Sequence, residues 1–281
     1  MKIELKATLY EVNDEIATIS LHRPHRMNAW TGRMHTEYRH CIEAANNDNK
    51  VRAIVVTGSG KGFCVGGDSQ ALKGHVTKGG YDPGTPDVLP TPGYGIAPEF
   101  DESFAYHFGL QKPVIAAING PAAGVGLALA CFADIRFAAP GIKMTTAHGK
   151  LNLPAEYGLS WLLPRMIGLG KANDLLLTSR VFMSEEAEEI GLVNKVFPSE
   201  SLMELTYEYV SNMIRTVSPD SLRQTRWQIY RDLHRDVGAS VSNSEFLIRQ
   251  MMKADNYAEG VKAFMENRLP EWSLSELKPE E

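Results

Sequence analysis

Two glycine-rich segments, each placed directly after a β-branched apolar run, constrain this chain more than any other feature. The first, Gly60-Lys-Gly-Phe-Cys-Val-Gly-Gly-Asp-Ser69, follows the run Val51–Val56. The second, Asn119-Gly-Pro-Ala-Ala-Gly-Val-Gly-Leu-Ala128, follows Val114–Ile118 and opens an apolar helix. A buried strand that ends in a Gly-rich turn and restarts as a helix aims unpaired backbone N–H groups at negative charge. Two such turns in one chain imply paired donors converging on one oxygen, the anatomy of an oxyanion hole. The second segment lacks the Lys-Ser/Thr ending of a P-loop, so a nucleotide phosphate is not the ligand it indicates.

The elements around these turns alternate. Period-two apolar spacing over residues 3–22 predicts a hairpin turning at Asn13-Asp14. Thr31 is placed to cap a helix running to about Asn47. Strand 51–57 leads into the first Gly-rich turn. Residues 76–99 are dense in Gly and Pro and read as a long loop, a length at which loops are usually functional lids or disordered. A helix over 101–110, strand 114–118, the second Gly-rich turn, helix 126–133 and strand 134–139 follow. Another helix is expected from about Glu156, carrying Trp161, Leu162 and Ile167. Beyond residue 198 the pattern is helical throughout, with stripes such as Leu202, Leu205, Tyr209 and Met213. The expected architecture is an α/β core over 1–198 with a helical region over 199–281.

Composition narrows the partners. The chain has 281 residues and a net charge of −5, which argues against nucleic acid and anionic membrane surfaces. The longest nearly apolar stretch, Pro121–Ala133, is too short for a membrane span of ~20 residues. The first ten residues alternate charge and lack the apolar core of a signal peptide. Cys41, Cys64 and Cys131 have no CxxC spacing and read as reduced thiols of a cytoplasmic protein, with no metal site or disulfide frame.

Five blocks, in order along nearly the whole chain, carry a resemblance: Leu21-His-Arg-Pro-His-Arg-Met-Asn-Ala29, Gly62-Phe-Cys-Val-Gly-Gly-Asp68, Ala116-Ala-Ile-Asn-Gly-Pro-Ala-Ala-Gly-Val-Gly126, Cys131-Phe-Ala-Asp-Ile-Arg-Phe-Ala138 and Glu259-Gly-Val-Lys-Ala-Phe-Met-Glu-Asn-Arg268. Together they resemble the crotonase superfamily, the enoyl-CoA hydratase/isomerase family. The resemblance implies a spiral of ββα repeats forming two near-perpendicular sheets, and a C-terminal helical region assembling homotrimers or hexamers. It also implies an acyl-CoA thioester substrate, with coenzyme A entering as part of that substrate and no separate cofactor or metal. The thioester oxygen would be held by the N–H groups of Gly67 and Val125. Each such donor is worth ~3–4 kcal/mol of transition-state stabilisation. CoA contacts would come from Arg26, Met27 and Ala29, and from Cys64, Gly66 and Asp68, with Arg26 meeting phosphate. Phe264 would approach the adenine from a neighbouring helix. Asn267 stands where relatives carry a basic residue, and Arg268 is the available substitute. Taken without the resemblance, Gly66-Gly67-Asp68 reads as a tight turn, with Asp68 bonding nearby N–H groups.

The family pattern breaks at the acids. The two hydratase glutamates map onto Ala128 and His148, neither a carboxylate. Glu156 instead occupies the position where some isomerase-like relatives place a catalytic Asp or Glu. Burial against Leu153, Tyr157 and Trp161 would raise its pKa toward the working range of a general base. The plainer reading of Glu156 is an acid favoured by the dipole in the first turn of a helix. His148 is a candidate to orient Glu156, to bind water or to act as acid. His75 and His107 flank the long loop as candidates for the acyl pocket, as do Tyr81, Tyr94, Phe100 and Phe104, which otherwise pack locally. The expected activity is double-bond isomerisation or single-acid hydration of an enoyl-CoA. A crotonase-fold β-diketone hydrolase and a non-catalytic binding protein are the alternatives. Arg26 and the CoA segments weigh against the hydrolase, and the acidic balance against an RNA-associated protein.

Overall fold

The computed structural model describes residues 4–79 and 84–273. Ile3, Gly80, Tyr81 and Pro83 lie outside the described residues. Strands β1 (Thr8–Asn13) and β2 (Ile16–Leu21) form the expected antiparallel hairpin. Its turn falls one residue later than expected, on Asp14 and Glu15, both at positive φ, the two-residue geometry that matches the twist of the flanking strands. Thr31 caps α1 (Gly32–Asn47), its hydroxyl oxygen accepting from Met34 N–H at 3.2 Å. The buried stripe Met34, Tyr38, Cys41, Ile42 and Ala45 then seats α1 in the core.

The first apolar run becomes β3 (Ala53–Gly58), two residues later than the run itself, and the second is β4 (Val114–Ile118). Both are buried along their whole length, as parallel strands covered on two faces must be, which is why they read as unbroken apolar runs. Between them α2 (Ser69–Lys78) replaces the start of the expected loop. The helix expected over 101–110 does not form. Phe104 sits at φ +61, and only short 3-10 turns at Pro98–Phe100 and Ala105–Gly109 flank it.

After β4 come β5 (Ala122–Ala123), α3 (Val125–Cys131), β6 (Ile135–Ala138), β7 (Lys143–Thr145), α4 (Leu159–Thr178), β8 (Phe182–Met183), α5 (Ser184–Glu189) and β9 (Lys195–Val196). One sheet runs β1-β2-β3-β4-β6-β9, parallel except at the hairpin, and a second runs β5-β7-β8. Helix α4 begins at Leu159 rather than near Glu156, because Tyr157 and Gly158 both take positive φ.

The remaining helices are α6 (Leu202–Thr216), α7 (Pro219–Asp232), α8 (Val237–Met251) and α9 (Asp255–Glu266). Half-buried Asp134 ties α7 to the core. It accepts from Arg226 at 2.8 Å and from Val114 N–H at 2.7 Å, and Tyr230 donates to its other oxygen. No helix among the described residues is long and apolar enough to cross a membrane.

Candidate active site

The two glycine-rich segments are clasped together by main-chain hydrogen bonds. Trp30 N–H donates to Gly66 C=O at 2.8 Å, and Asp68 N–H donates back to Trp30 C=O at 2.9 Å. Across the second contact, Cys64 N–H donates to Pro121 C=O at 3.1 Å and Ala123 N–H to Cys64 C=O at 2.9 Å. The approach is so close that a Cβ on Gly126 would stand 2.1 Å from the Cys64 carbonyl oxygen, so only glycine fits there. The N–H groups of Gly67 and of Val125, the first residue of α3, have no acceptor among the described residues, and both residues line one cleft.

Asp68 braces the first of these. Its carboxylate caps α2 by accepting from Gln70 N–H at 2.9 Å, and pairs with Arg23 at 2.9 Å and Arg26 at 3.6 Å. Burial works against its ionisation, but the Gln70 N–H and the two guanidinium groups outweigh it and hold the pKa below the ordinary carboxylate value. Asp68 is therefore a cap and brace whose side chain is turned inward. Arg26 stays partly exposed beside it.

A cleft of about 560 Å³ opens over the clasp. Trp30, Gly66, Gly67, Leu72, Gly124, Val125, His148, Glu156 and Tyr157 are among the residues that line it. Glu156 is the only carboxylate among its described lining residues. Its Oε2 lies 3.6 Å from where a Cβ on Gly124 would stand, a point also 3.8 Å from Gly66 Cα. The carboxylate thus faces the junction of the two Gly-rich turns. Because α4 starts three residues later, Glu156 is not in a helix first turn, and the dipole account of it does not apply. Partial burial pushes its pKa above the ordinary glutamate value, while the charge of His148 pulls the other way. His148 is buried against the same cleft, and its Nδ1 has no hydrogen-bond partner among the described residues. Ala128 is fully enclosed in α3.

The other expected residues divide. Met27 and Ala29 act through their backbones: Met27 C=O accepts from Val65 N–H at 3.3 Å, and Ala29 C=O from Arg23 at 2.6 Å. Burial pushes the Cys64 thiol up to about 12 and those of Cys41 and Cys131 up to about 11, so none is poised as a nucleophile. His75 lines the cleft from α2. His107 does not: it is sealed in the core between Tyr38 OH at 2.8 Å and Phe104 C=O at 2.7 Å, and burial drops its pKa to about 4. Phe104 is buried and meets Tyr157 edge-on at 4.9 Å, while Tyr94 is engaged by Arg39. Trp161 stands beyond Tyr157 and lines a different cavity from Glu156. Phe264 is 86% exposed on α9, away from the cleft. Arg268, on the segment after α9, is paired with Glu259 and Glu266 at 2.7 Å each. Trp30 and Tyr157, which shape the cleft, went unassigned as its walls in the sequence. An aromatic directly after the Met27-Asn28-Ala29 block was the available signal for Trp30. No group of three or more metal-ligating side chains gathers among the described residues.

The two-sheet α/β fold thus carries a cleft lined by both Gly-rich turns and by one carboxylate, Glu156. The chain belongs to the enoyl-CoA hydratase/isomerase family, within the crotonase superfamily: the family profile matches residues 11–275. It is 35% identical over 263 residues to the probable enoyl-CoA hydratase EchA12 of Mycobacterium tuberculosis, covering 91% of this chain and 88% of that one. It is 30% identical over 281 residues to the 1,2-epoxyphenylacetyl-CoA isomerase of Escherichia coli, covering 94% and 97%. The enoyl-CoA hydratase structure from Bacillus anthracis superimposes with a TM-score of 0.83 at 26% identity, covering 96% of this chain and 100% of that one.

Proposed function

We propose that the protein shifts a double bond in an enoyl-CoA through a thioester enolate, with Glu156 as the single acid/base. The observation that carries this is the carboxylate of Glu156 at the junction of the two Gly-rich turns, the lone acid of the cleft's described lining. With the thioester oxygen between the N–H groups of Gly67 and Val125, the carboxylate takes a proton from C2 of a 3-enoyl-CoA. The C–H electron pair moves into the conjugated system, and negative charge gathers on the oxygen. The donors are preorganised for it, so no solvent has to reorganise. Return of the same proton from Glu156 to C4 leaves a 2-enoyl-CoA. Every proton and electron is accounted for with one carboxylate. His148, whose Nδ1 finds no hydrogen-bond partner among the described residues, is suited to present an Nε2–H donor toward the carboxylate or an acyl oxygen. The CoA arm lies along Arg26–Ala29 and Cys64–Ser69, with Arg26 toward phosphate. Phe264, exposed on α9, serves the adenine end of a neighbouring copy in a homotrimer or hexamer.

Single-acid hydration of a 2-enoyl-CoA is the second reading, supported by the resemblance to EchA12. The test follows the absorbance of the conjugated thioester with both substrates. Glu156→Gln should lower the isomerisation rate by ~10²–10⁴-fold. Rapid hydration of the 2-enoyl-CoA that survives this substitution would overturn the single-acid mechanism. The wild-type rate should fall on acidification with its midpoint above the ordinary glutamate value, because the base must be ionised. Between the ordinary and the raised pKa the folded chain holds more protons than the unfolded one, so stability declines as pH rises through that window. Glu156→Gln should remove that decline.

A further inference from the structure

A second cavity of about 440 Å³ shares the wall residue Tyr157 with the cleft, and its volume lies within the roughly 300–1,000 Å³ span of small-molecule sites. Its floor is aromatic: Phe100, Phe108, Phe132, Tyr157 and Trp161. Its rim is polar and acidic, with Glu99, Glu102 and His234. One three-residue turn separates the two spaces. Glu156 faces the cleft, Gly158 faces the second cavity, and Tyr157 between them lines both. The Tyr157 backbone is at φ +50, and its ring meets Phe104 edge-on at 4.9 Å. Phe104 in turn stacks with Phe132 at 6.1 Å, so the partition rests on the aromatic floor.

We propose that this cavity receives the distal end of the acyl group, that Tyr157 is the partition setting how much acyl group the site accepts, and that the preferred tail is an uncharged aromatic or long apolar one. This deepens the reading of the cleft as an acyl-CoA site and rests on it. The order along the path supports it. The thioester oxygen sits at Gly67 and Val125, the reacting carbons sit under Glu156, and the next side chain in line is Tyr157. Apolar transfer onto the aromatic floor supplies roughly 0.8 kcal/mol per buried CH₂. The exposed carboxylates of Glu99 and Glu102 at the rim disfavour a tail that ends in a carboxylate, since like charges repel.

The experiment measures kcat/KM for enoyl-CoAs with a four-carbon, a twelve-carbon, a phenyl-ended and an ω-carboxyl-ended acyl group. It also titrates the matching unreactive thioether analogues by calorimetry. Ser103→Trp places a large side chain at an exposed wall of the second cavity. It should lower the ratio of twelve-carbon or phenyl-ended to four-carbon kcat/KM at least tenfold, with the same loss in analogue affinity. Tyr157→Ala should raise that ratio several-fold. The double substitution Glu99→Gln, Glu102→Gln should improve the ω-carboxyl substrate several-fold relative to the twelve-carbon one. A ratio unchanged by Ser103→Trp and by Tyr157→Ala overturns the proposal. Absence of turnover on every enoyl-CoA overturns the isomerase reading instead, and the calorimetric tail preference then still decides this one. No binding of any analogue sinks both.

Discussion

The two helices that open from the glycine-rich turns are built on opposite terms. Every residue of α3, Val125–Cys131, is buried, whereas α2, Ser69–Lys78, buries none of its residues. Val76 on α2 is 84% exposed. Both helices border the cleft, and the free N–H groups of Val125 and Gly67 stand at their entrances. The donor at Val125 is fixed by the core itself. The donor at Gly67 is held mainly from outside the helix that follows, by the main-chain bonds to Trp30 and the ion pairs of Asp68, whose carboxylate also caps that helix. One wall of the site is thus scaffold. The other is an outlying element, the kind that opens at low free-energy cost, attached to a pinned donor.

Three substitutions probe this contrast. The largest effect is expected at Gly126→Ala, where the new Cβ meets the Cys64 carbonyl at 2.1 Å. Overpacking of this kind costs ~1–3 kcal/mol or more, read as a lowered urea midpoint and a displaced clasp. A variant as stable as the parent would show that the two segments are not rigidly joined. Next comes Asp68→Ala, which removes a cap and leaves Arg23 without its carboxylate. A loss of ~1–3 kcal/mol at neutral pH is expected, because that carboxylate is buried and charge-assisted. Since the Asp68 pKa is depressed in the fold, its contribution is present above the ordinary value of about 3.9. It is lost as pH falls through the lower folded value, so parent and variant should converge in acid. The smallest effect, and of opposite sign, is expected at Gly74→Ala in α2. A Cβ there meets nothing within 4 Å, so the substitution should add ~0.5–1 kcal/mol of helix stability. A loss there would mean that α2 is packed more tightly than its exposure implies.

The same contrast explains what the sequence made legible. Strand 114–118 and the Thr31 cap read to the residue, because a doubly buried parallel strand and a hydroxyl cap each leave an unambiguous pattern. Helix α2 was invisible to periodicity, since a helix that buries nothing has no apolar stripe to display. Its ends were nonetheless marked by Asp68 before it and Gly79 after it, the latter at φ +68 as a C-terminal cap. The helix expected at 101–110 failed on a single backbone angle at Phe104, which no pattern of apolar residues encodes. His107 looked like a pocket residue from its place beside the loop. Only the fold shows it locked to Tyr38 and Phe104. Glu156 was found from its position in the family pattern, but its separation from Trp161 by Tyr157 is a matter of tertiary geometry.

The clasp between the glycine-rich turns is made of main-chain donors, main-chain acceptors and the absence of a β-carbon. Its dimensions therefore do not depend on which side chains surround the cleft. Walls such as Leu72, His75, Leu151, Leu153 and Tyr157 can be exchanged without moving the distance between the two donor nitrogens. An engineer reshaping the walls of this cleft therefore works around a junction whose most exacting dimension, the approach of Gly126 to the Cys64 carbonyl, is already set.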